Sequence, residues 1–379
     1  MSGREVTAID WPEIVELNNI IISPLLAGSS KGYTALYADP PSPLLRHYRY
    51  GHSDSSLQVL PFPGPDAGVK QVVEEPVIYG GLMFRHFGHS LTEGIHRLWP
   101  RFALKELHTA KVAFNVVNNS KIMPYVSEAL NLHGISRSGV IPIQEPTLFR
   151  RLFVGPQARQ MAGPTLIPGY QTMLDRYHAR RLPTPDGQRR LYVSRLHHHH
   201  TGSFFGESFV EAQLAAQGFE IVYPEQITLT QLVILLRDSE IAVFAEGSAI
   251  HALELCGSAV PAVFVIGRRQ HSLERFAPLL ENICSRWQVA EHWLASAGMA
   301  PDFKKHSSVL DMPALMKDLW SFAGLGGSCF DNQVAVAAIR HDLAIHIADE
   351  RNVRTDDYGA RALEVERAVE AAADAASRR

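Results

Sequence analysis

The chain has 379 residues, of which 46% are hydrophobic and 20% are charged, a composition typical of a globular protein long enough for two domains of ordinary size. A net charge of −3 and the lack of a sustained Lys/Arg run argue against nucleic acid as a partner. The 3 cysteines have no CxxC spacing, which argues against a disulfide framework or a zinc site and favours a reducing, cytoplasmic compartment. No apolar run is long enough to span a membrane and no signal pattern opens the chain, so any membrane contact is expected to be peripheral, at the inner membrane.

Composition and hydrophobic pattern divide the chain into successive stretches. Residues 1–76 are rich in proline, glycine and serine and predict a loop-rich lead-in with short strands. Strand-like and helix-like segments alternate over residues 77–165, which predicts a parallel sheet covered by helices. A second alternating stretch over residues 186–300 predicts a Rossmann-like half, and residues 301–379 predict appended helices that could join copies of the chain in a homo-oligomer.

Helix boundaries are marked most clearly in the second alternating stretch. Ser208 with Glu211, and Thr228 with Gln231, have the spacing of capping boxes and predict where two helices begin. A further helix is predicted over residues 248–256, directly after a hydrophobic strand.

Ionisable side chains recur at helical spacing within residues 80–99. His89, Glu93 and His96 fall on one face of a helix, and two imidazoles beside a carboxylate can take up a proton near neutral pH. The pattern predicts a helix with one packed face and one reactive face; the alternative is a solvated face that carries a single His–Glu hydrogen bond. The opposite, apolar face consists of Leu91, Ile95, Leu98 and Phe102.

A small-residue turn joins a hydrophobic strand to a helix at residues 245–251. The backbone amides near Gly247, Ser248 and Ala249 lie at a helix N-terminus, a geometry that binds phosphate. Glu246 is expected at the carboxyl end of a parallel strand, where it could hold ribose or sugar hydroxyls, with His251 close by. The alternative is an ordinary strand–turn–helix corner capped by Ser248.

Arg195 follows the predicted strand at residues 191–194 and is expected to face the same crevice. A guanidinium there could bind a phosphate through two parallel hydrogen bonds; the alternative is an arginine on the surface. The adjacent run His197–His200 favours a flexible loop over a metal site, because consecutive histidines point in different directions.

Short motifs occur in a fixed order along the chain. They are Gly88-His89 with Glu93 and Arg97-Leu98-Trp99, then Leu191 to Arg195, then Glu207 ahead of a helix ending at Gly218-Phe219, then Gly247-Ser248-Ala249. Together they resemble the glycosyltransferase family 61 domain, over about residues 77–267. The resemblance implies a GT-B fold, in which two Rossmann-like halves face a cleft, a nucleotide-sugar donor held mainly by the C-terminal half, and inversion at the anomeric carbon without an obligatory metal or other cofactor.

This interpretation assigns roles to individual residues. Glu93 or His89 is expected to act as the base, and His96 and Arg97 in the N-terminal half to bind the acceptor. The residues expected to bind the donor are Arg195, Glu207, Glu246, Gly247, Ser248, Ala249 and His251.

The chain is accordingly predicted to be an inverting glycosyltransferase. It would move a sugar from a nucleotide-diphosphate donor to a saccharide or glycolipid acceptor in surface or capsular polysaccharide synthesis. Two alternatives stay open at this point: a nucleotide-sugar-binding or scaffold protein without turnover, and a sugar-nucleotide epimerase.

Overall fold

The computed structural model divides the chain into two compact units. The N-terminal unit contains Met1–Pro183 together with His251–Ser258, and the C-terminal unit contains Thr184–Ile250 and Ala259–Arg379. The structure describes residues 11–27, 33–49, 52–53, 58–62, 68–117, 121–160, 167, 170–178, 181–198, 201–297, 306–326 and 330–348, with single positions between 363 and 370.

The N-terminal unit is built on a mixed sheet with the strand order β10-β9-β8-β11-β1-β3-β2, to which β6 adds beside β3 and β7 beside β11. Its strands are β1 (Val15–Ile22), β2 (Leu26–Ala27), β3 (Tyr33–Asp39), β4 (Tyr48–Arg49), β5 (His52–Ser53), β6 (Gln58–Leu60), β7 (Gln71–Val73), β8 (Val77–Met83), β9 (Lys111–Val116), β10 (Val140–Ile143) and β11 (Thr147–Val154). Its helices are α1 (Phe87–Thr92), α2 (Pro100–Ala103), α3 (Pro124–Leu132) and α4 (Tyr170–His178).

Strands β8, β9, β10 and β11 run parallel in this sheet, as the alternating pattern predicts, and β7 adds parallel to β11. Every residue of β8 is buried, which explains its continuous apolar sequence. Pro124 occupies the first turn of α3, where a proline costs no hydrogen bond.

The first stretch of the chain differs from the predicted lead-in. Strand β1 pairs antiparallel with β11 from Val15, opposite Val154, to Ile22, opposite Thr147. Strand β3 pairs in turn with β1. The described residues before position 76 therefore extend the sheet of the N-terminal unit.

The helix predicted to carry His89, Glu93 and His96 is wrong in its length. Helix α1 ends at Thr92, Glu93 leaves the helical conformation with φ −134°, and helical structure resumes only at Pro100. Gly94 has a low helix propensity, and a Cβ there would lie 2.9 Å from the carbonyl oxygen of Ser90. The expected division into a packed face and a free face is also absent, because residues 90–100 are all buried.

The C-terminal unit contains a five-stranded parallel sheet with the order β13-β12-β14-β15-β16. Its strands are β12 (Arg189–Val193), β13 (Glu220–Val222), β14 (Ser239–Ala245), β15 (Ala262–Ile266), β16 (Trp287–Ala290), β17 (Trp293–Ala297) and β18 (Ser307–Leu310), the last two pairing antiparallel. Its helices are α5 (Glu207–Ala216), α6 (Leu229–Arg237), α7 (Ser272–Ile283), α8 (Met312–Ala323) and α9 (Asn332–Ala348). The stretch 301–379, predicted to hold appended helices, contains strand β18 as well as α8 and α9.

The two predicted capping boxes have different outcomes. Thr228 caps α6 in a complete box with Gln231, as predicted. At α5 the cap position is Gly206, whose left-handed φ of 88° suits glycine, and Asp342 of α9 accepts hydrogen bonds from the Gly206 amide at 2.8 Å and from the Ser208 hydroxyl at 2.7 Å. The box predicted at Ser208 is therefore wrong, because a distant carboxylate takes its place.

The sheet of the C-terminal unit reverses its winding direction between β12 and β14, which is the order of a Rossmann-like fold. The predicted α/β class with parallel sheets is confirmed. Among the described residues no helix combines the length and apolar character needed to cross a membrane.

Candidate active site

The strongest geometric indication of a binding site lies at the carboxyl ends of β12 and β14. Ligands of open parallel sheets bind outside these ends, at the point where the winding direction reverses. Strand β12 leads into Ser194 and Arg195, and β14 leads into Glu246 and Gly247. The sequence therefore placed Arg195 and Glu246 correctly at neighbouring strand ends.

Arg195 is held in place by the loop that follows it. Its guanidinium donates to the carbonyl oxygen of Gly202 at 3.0 and 3.2 Å and to the Thr201 hydroxyl at 3.3 Å. Burial lowers the pKa of Arg195, although a guanidinium keeps its charge at neutral pH. A Cβ on Gly247 would overlap the side chain of Arg195, so the glycine leaves the space that the guanidinium occupies.

Glu246 is fully buried and binds the loop after β15. Its carboxylate accepts hydrogen bonds from the Arg268 amide at 2.8 Å, from Nε of Arg269 at 2.6 Å and from the Ser272 hydroxyl at 2.5 Å. Burial acts to raise the pKa of Glu246, but the charges of Arg269 and Arg268 outweigh it and lower the pKa. Both oxygens are occupied, so Glu246 is placed to position these arginines and has no free oxygen to hold sugar hydroxyls.

Arg268 and Arg269 extend the positive region across a third strand end. Arg268 is 5% exposed and also donates to the backbone oxygens of Glu246 at 3.2 Å and His306 at 3.3 Å. Burial, with repulsion from Arg269, lowers the pKa of Arg268 to about 9, so the side chain stays charged at neutral pH. Together with Arg195, these residues concentrate positive charge where parallel sheets bind ligands.

Glu207 lies at the start of α5 and is fully buried. Its Oε1 accepts hydrogen bonds from the Arg195 amide at 2.6 Å and from the hydroxyls of Tyr192 and Ser194 at 3.0 Å each. Its Oε2 is buried without a hydrogen-bond partner among the described atoms. Burial raises the pKa of Glu207 to about 7, so this carboxyl is only partly ionised at neutral pH.

The turn after β14 continues into a 3-10 helix, Ser248–Leu255, rather than the predicted α-helix. Ser248 and Ala249 are partly exposed at its start, and Gly247 is buried. The first amides of a helix lack intrahelical partners, so an anion could bind at this N-terminus.

The N-terminal unit contains a second ionisable cluster, centred on Glu93. The Glu93 side chain is completely buried, with Oε1 2.5 Å from Nδ1 of His89 and Oε2 hydrogen-bonded to Nε2 of His47. An ionised carboxylate only accepts, so both imidazoles donate to it. The His89 side chain is 33% exposed and its Nε2 is left with a lone pair that can take a proton.

Comparison with known proteins agrees with the motifs. Residues 87–258 match the family model described as Glycosyltransferase 61. The resemblance predicted from the sequence is confirmed over this stretch, and the family supports a glycosyltransferase. No curated protein matches the chain.

Two residues of the glycosyltransferase 61 stretch that were expected to bind the acceptor are inaccessible. His96 is fully buried, with Nε2 2.6 Å from Oε2 of Glu254. Arg97 is 2% exposed and donates to the carbonyl oxygens of Leu44 at 3.1 Å and Gly155 at 2.8 Å, among others. Their contacts are those of buried structural residues, so the structure offers no surface on either for an acceptor.

His251 is assigned to the N-terminal unit, whereas the turn at residues 246–249 is assigned to the C-terminal unit. Its Nδ1 lies 3.7 Å from Oε1 of Glu254. The histidine run is described only at His197 and His198, which lie 2.9 and 3.3 Å from the carboxylate of Glu225; positions 199–200 fall outside the described residues. Within the described part of the chain, no group of three or more His, Cys, Asp or Glu residues is arranged to hold a metal ion.

The sequence reasoning missed Arg268, Arg269 and His47. A signal for the arginines existed, since Gly267-Arg268-Arg269 directly follows a hydrophobic strand just as Ser194-Arg195 does. No periodic signal connects His47 with Glu93, because 46 residues separate them.

Proposed function

We propose that the chain is an inverting, metal-independent glycosyltransferase of the GT-B type. The C-terminal unit would bind a nucleotide-diphosphate sugar, and the N-terminal unit would supply the base that activates the acceptor. The observation that supports this most is the arginine cluster at the strand ends of a Rossmann-like sheet, within and beside a stretch matching glycosyltransferase 61.

The donor side of the proposal rests on charge. When the sugar leaves the donor, the diphosphate takes the electron pair of the broken C–O bond, and fixed cations stabilise that charge. Arg195, Arg268 and Arg269 are fixed by hydrogen bonds to backbone oxygens or to Glu246. Such charges need no reorganisation during the reaction and can replace a metal ion in stabilising the leaving group.

The acceptor side of the proposal assigns the base to His89. Glu93 has no exposed side-chain surface and both of its oxygens are occupied, so an acceptor hydroxyl cannot reach it. His89 is oriented by Glu93 through Nδ1, which leaves Nε2 to take the hydroxyl proton while the hydroxyl oxygen attacks the anomeric carbon from the face opposite the diphosphate. One displacement of this kind inverts the configuration.

The biological setting belongs to the same proposal. A saccharide or glycolipid acceptor in surface or capsular polysaccharide synthesis is inferred from the resemblance. A cytoplasmic protein with peripheral contact to the inner membrane would meet both nucleotide sugars and lipid-linked acceptors. The C-terminal helices α8 and α9 remain our candidates for a homo-oligomer contact.

A thermal-shift screen over nucleotides and nucleotide sugars tests the proposal first, because any ligand of the folded state raises the melting temperature. The hit is then incubated with and without saccharide acceptors. Transfer with release of nucleoside diphosphate supports the proposal. Binding without turnover supports a binding or scaffold protein, and an altered donor formed without acceptor supports an epimerase.

A further inference from the structure

His47 lies outside the stretch that matches glycosyltransferase 61, yet it contacts the centre of the ionisable cluster. The side chain is 3% exposed and Nε2 donates to Oε2 of Glu93. The opposite oxygen of the same carboxylate orients His89. A single buried carboxylate thus joins one buried imidazole to one partly exposed imidazole.

The segment that carries His47 is fixed on both sides. Before it, Arg97 donates to the carbonyl oxygen of Leu44 at 3.1 Å and to that of Arg46 at 2.5 Å. After it, the side-chain amide of Gln157 accepts from the Tyr48 amide at 2.8 Å, and its NH₂ group donates to the Tyr48 oxygen at 3.2 Å.

The buried Arg97 therefore fixes the backbone next to His47, which differs from the acceptor-binding role expected for it. Charge-assisted hydrogen bonds from a fully buried guanidinium are strong and directional, so they hold the backbone beside His47 firmly.

We propose that His47 is a positioning residue for His89, acting through Glu93; this inference rests on the proposed function of His89 as the base. By donating to Oε2, His47 holds the carboxylate in one orientation and favours its charged form, so that Oε1 keeps the proton of His89 on Nδ1. The N-terminal segment thereby supplies part of the apparatus that activates the acceptor.

Two substitutions separate positioning from simple support. His47→Leu keeps bulk but removes the donor, whereas the side-chain NH₂ of His47→Gln can still donate to Glu93. His133→Leu is the matched control, because His133 is an equally buried histidine of the same unit that bonds instead to the Ala129 oxygen at 2.8 Å.

We expect His47→Leu to lower kcat by on the order of 10-fold or more, with the KM for donor unchanged. The acidic limb of its kcat profile should move to higher pH, because the carboxylate loses a donor that favours its charged form. His47→Gln should restore most of kcat. Among the described residues, His86 also lies near His89, with ring centres 5.0 Å apart, and His251 acts electrostatically on His86; neither histidine is changed in these variants.

NMR of the imidazole signals measures the coupling of His47 to His89 without requiring enzymatic activity. The His89 signals are assigned by their loss in His89→Gln. The His89 titration should shift in His47→Leu, return in His47→Gln and stay in place in His133→Leu. An unchanged His89 titration and a kcat within twofold of wild type in His47→Leu would overturn the proposal, as would equal losses in the Leu, Gln and control variants. A shifted titration in a protein without transfer activity would leave the coupling standing and remove the proposed function instead.

Discussion

The ionisable clusters around Glu93 and Glu246 have the same arrangement of a buried carboxylate and a basic side chain, but they differ in which basic residue reaches the surface. In each, a fully buried glutamate fixes a basic side chain that reaches the surface: Glu93 fixes His89, and Glu246 fixes Arg269. An imidazole exchanges its proton near neutral pH, whereas a guanidinium does not. The first cluster is therefore suited to proton transfer and the second to holding a permanent charge, although the buried carboxylates are alike.

The largest effect should come from removing the exposed base. His89→Ala is expected to lower kcat by about 10²–10⁴ while affinity for the nucleoside diphosphate stays near wild type, because only proton transfer is lost. Glu93→Gln should cost less, since the imidazole remains. Turnover and diphosphate affinity measured on both variants check this, and a greater loss of kcat in Glu93→Gln would make the carboxylate the base.

Glu207 allows the effect of burial on a carboxyl pKa to be tested, because its Oε2 has no hydrogen-bond partner among the described atoms. Its pKa is raised from 4.5 to about 7, so the folded state binds a proton that the unfolded chain has lost, and the free energy of unfolding falls as pH rises between these values. Glu207→Gln cannot titrate. Its stability relative to wild type should rise over this range by up to about 3 kcal/mol, measured by denaturant unfolding at several pH values. A difference independent of pH would contradict the raised pKa.

Substitutions in the arginine cluster of Arg195, Arg268 and Arg269 should change the affinity for nucleoside diphosphate more than kcat. Arg195→Ala and Arg269→Ala are each expected to weaken nucleoside diphosphate binding by about 1.5–3 kcal/mol, the range for a hydrogen bond to a charged group. Calorimetry measures this, with Arg190→Ala as the control, since Arg190 pairs on the surface with Glu240 at 2.5 Å. Unchanged affinity in folded Arg195→Ala and Arg269→Ala proteins would remove the diphosphate from this position.

The smallest expected effect is that of chelation. In this proposal the fixed arginines stabilise the leaving diphosphate in place of a metal ion. The rate of sugar transfer in excess chelator should therefore equal the rate without chelator. Activity that disappears in chelator and returns with manganese would contradict metal independence. It would also make His197, His198 and Glu225 the first residues to test as ligands.

Local patterns in the sequence predicted what local physics determines. Strand ends placed Arg195 and Glu246, the spacing of His89 and Glu93 predicted their contact, and Thr228 marked a helix start, because each depends on neighbours within a few residues. The helix was predicted too long because its apolar spacing continues past Gly94, a residue of low helix propensity close to which α1 ends.

Long-range partners had no local signal at all. Asp342 caps α5 across 136 residues of sequence, which replaced the predicted cap at Ser208. The buried states of His96 and Arg97 likewise follow from partners such as Glu254 and the Gly155 oxygen, brought close only by the folded unit.

The anomeric configuration of the product tests the central claim most directly. The donor sugar found in the screen is transferred to its acceptor, and the proton coupling at the anomeric carbon is read by NMR in donor and in product. The proposed single displacement, with His89 as base and the arginine cluster holding the leaving diphosphate, predicts an inverted configuration together with one nucleoside diphosphate released for each sugar transferred. A retained configuration, or diphosphate release without a new glycosidic bond, would contradict it.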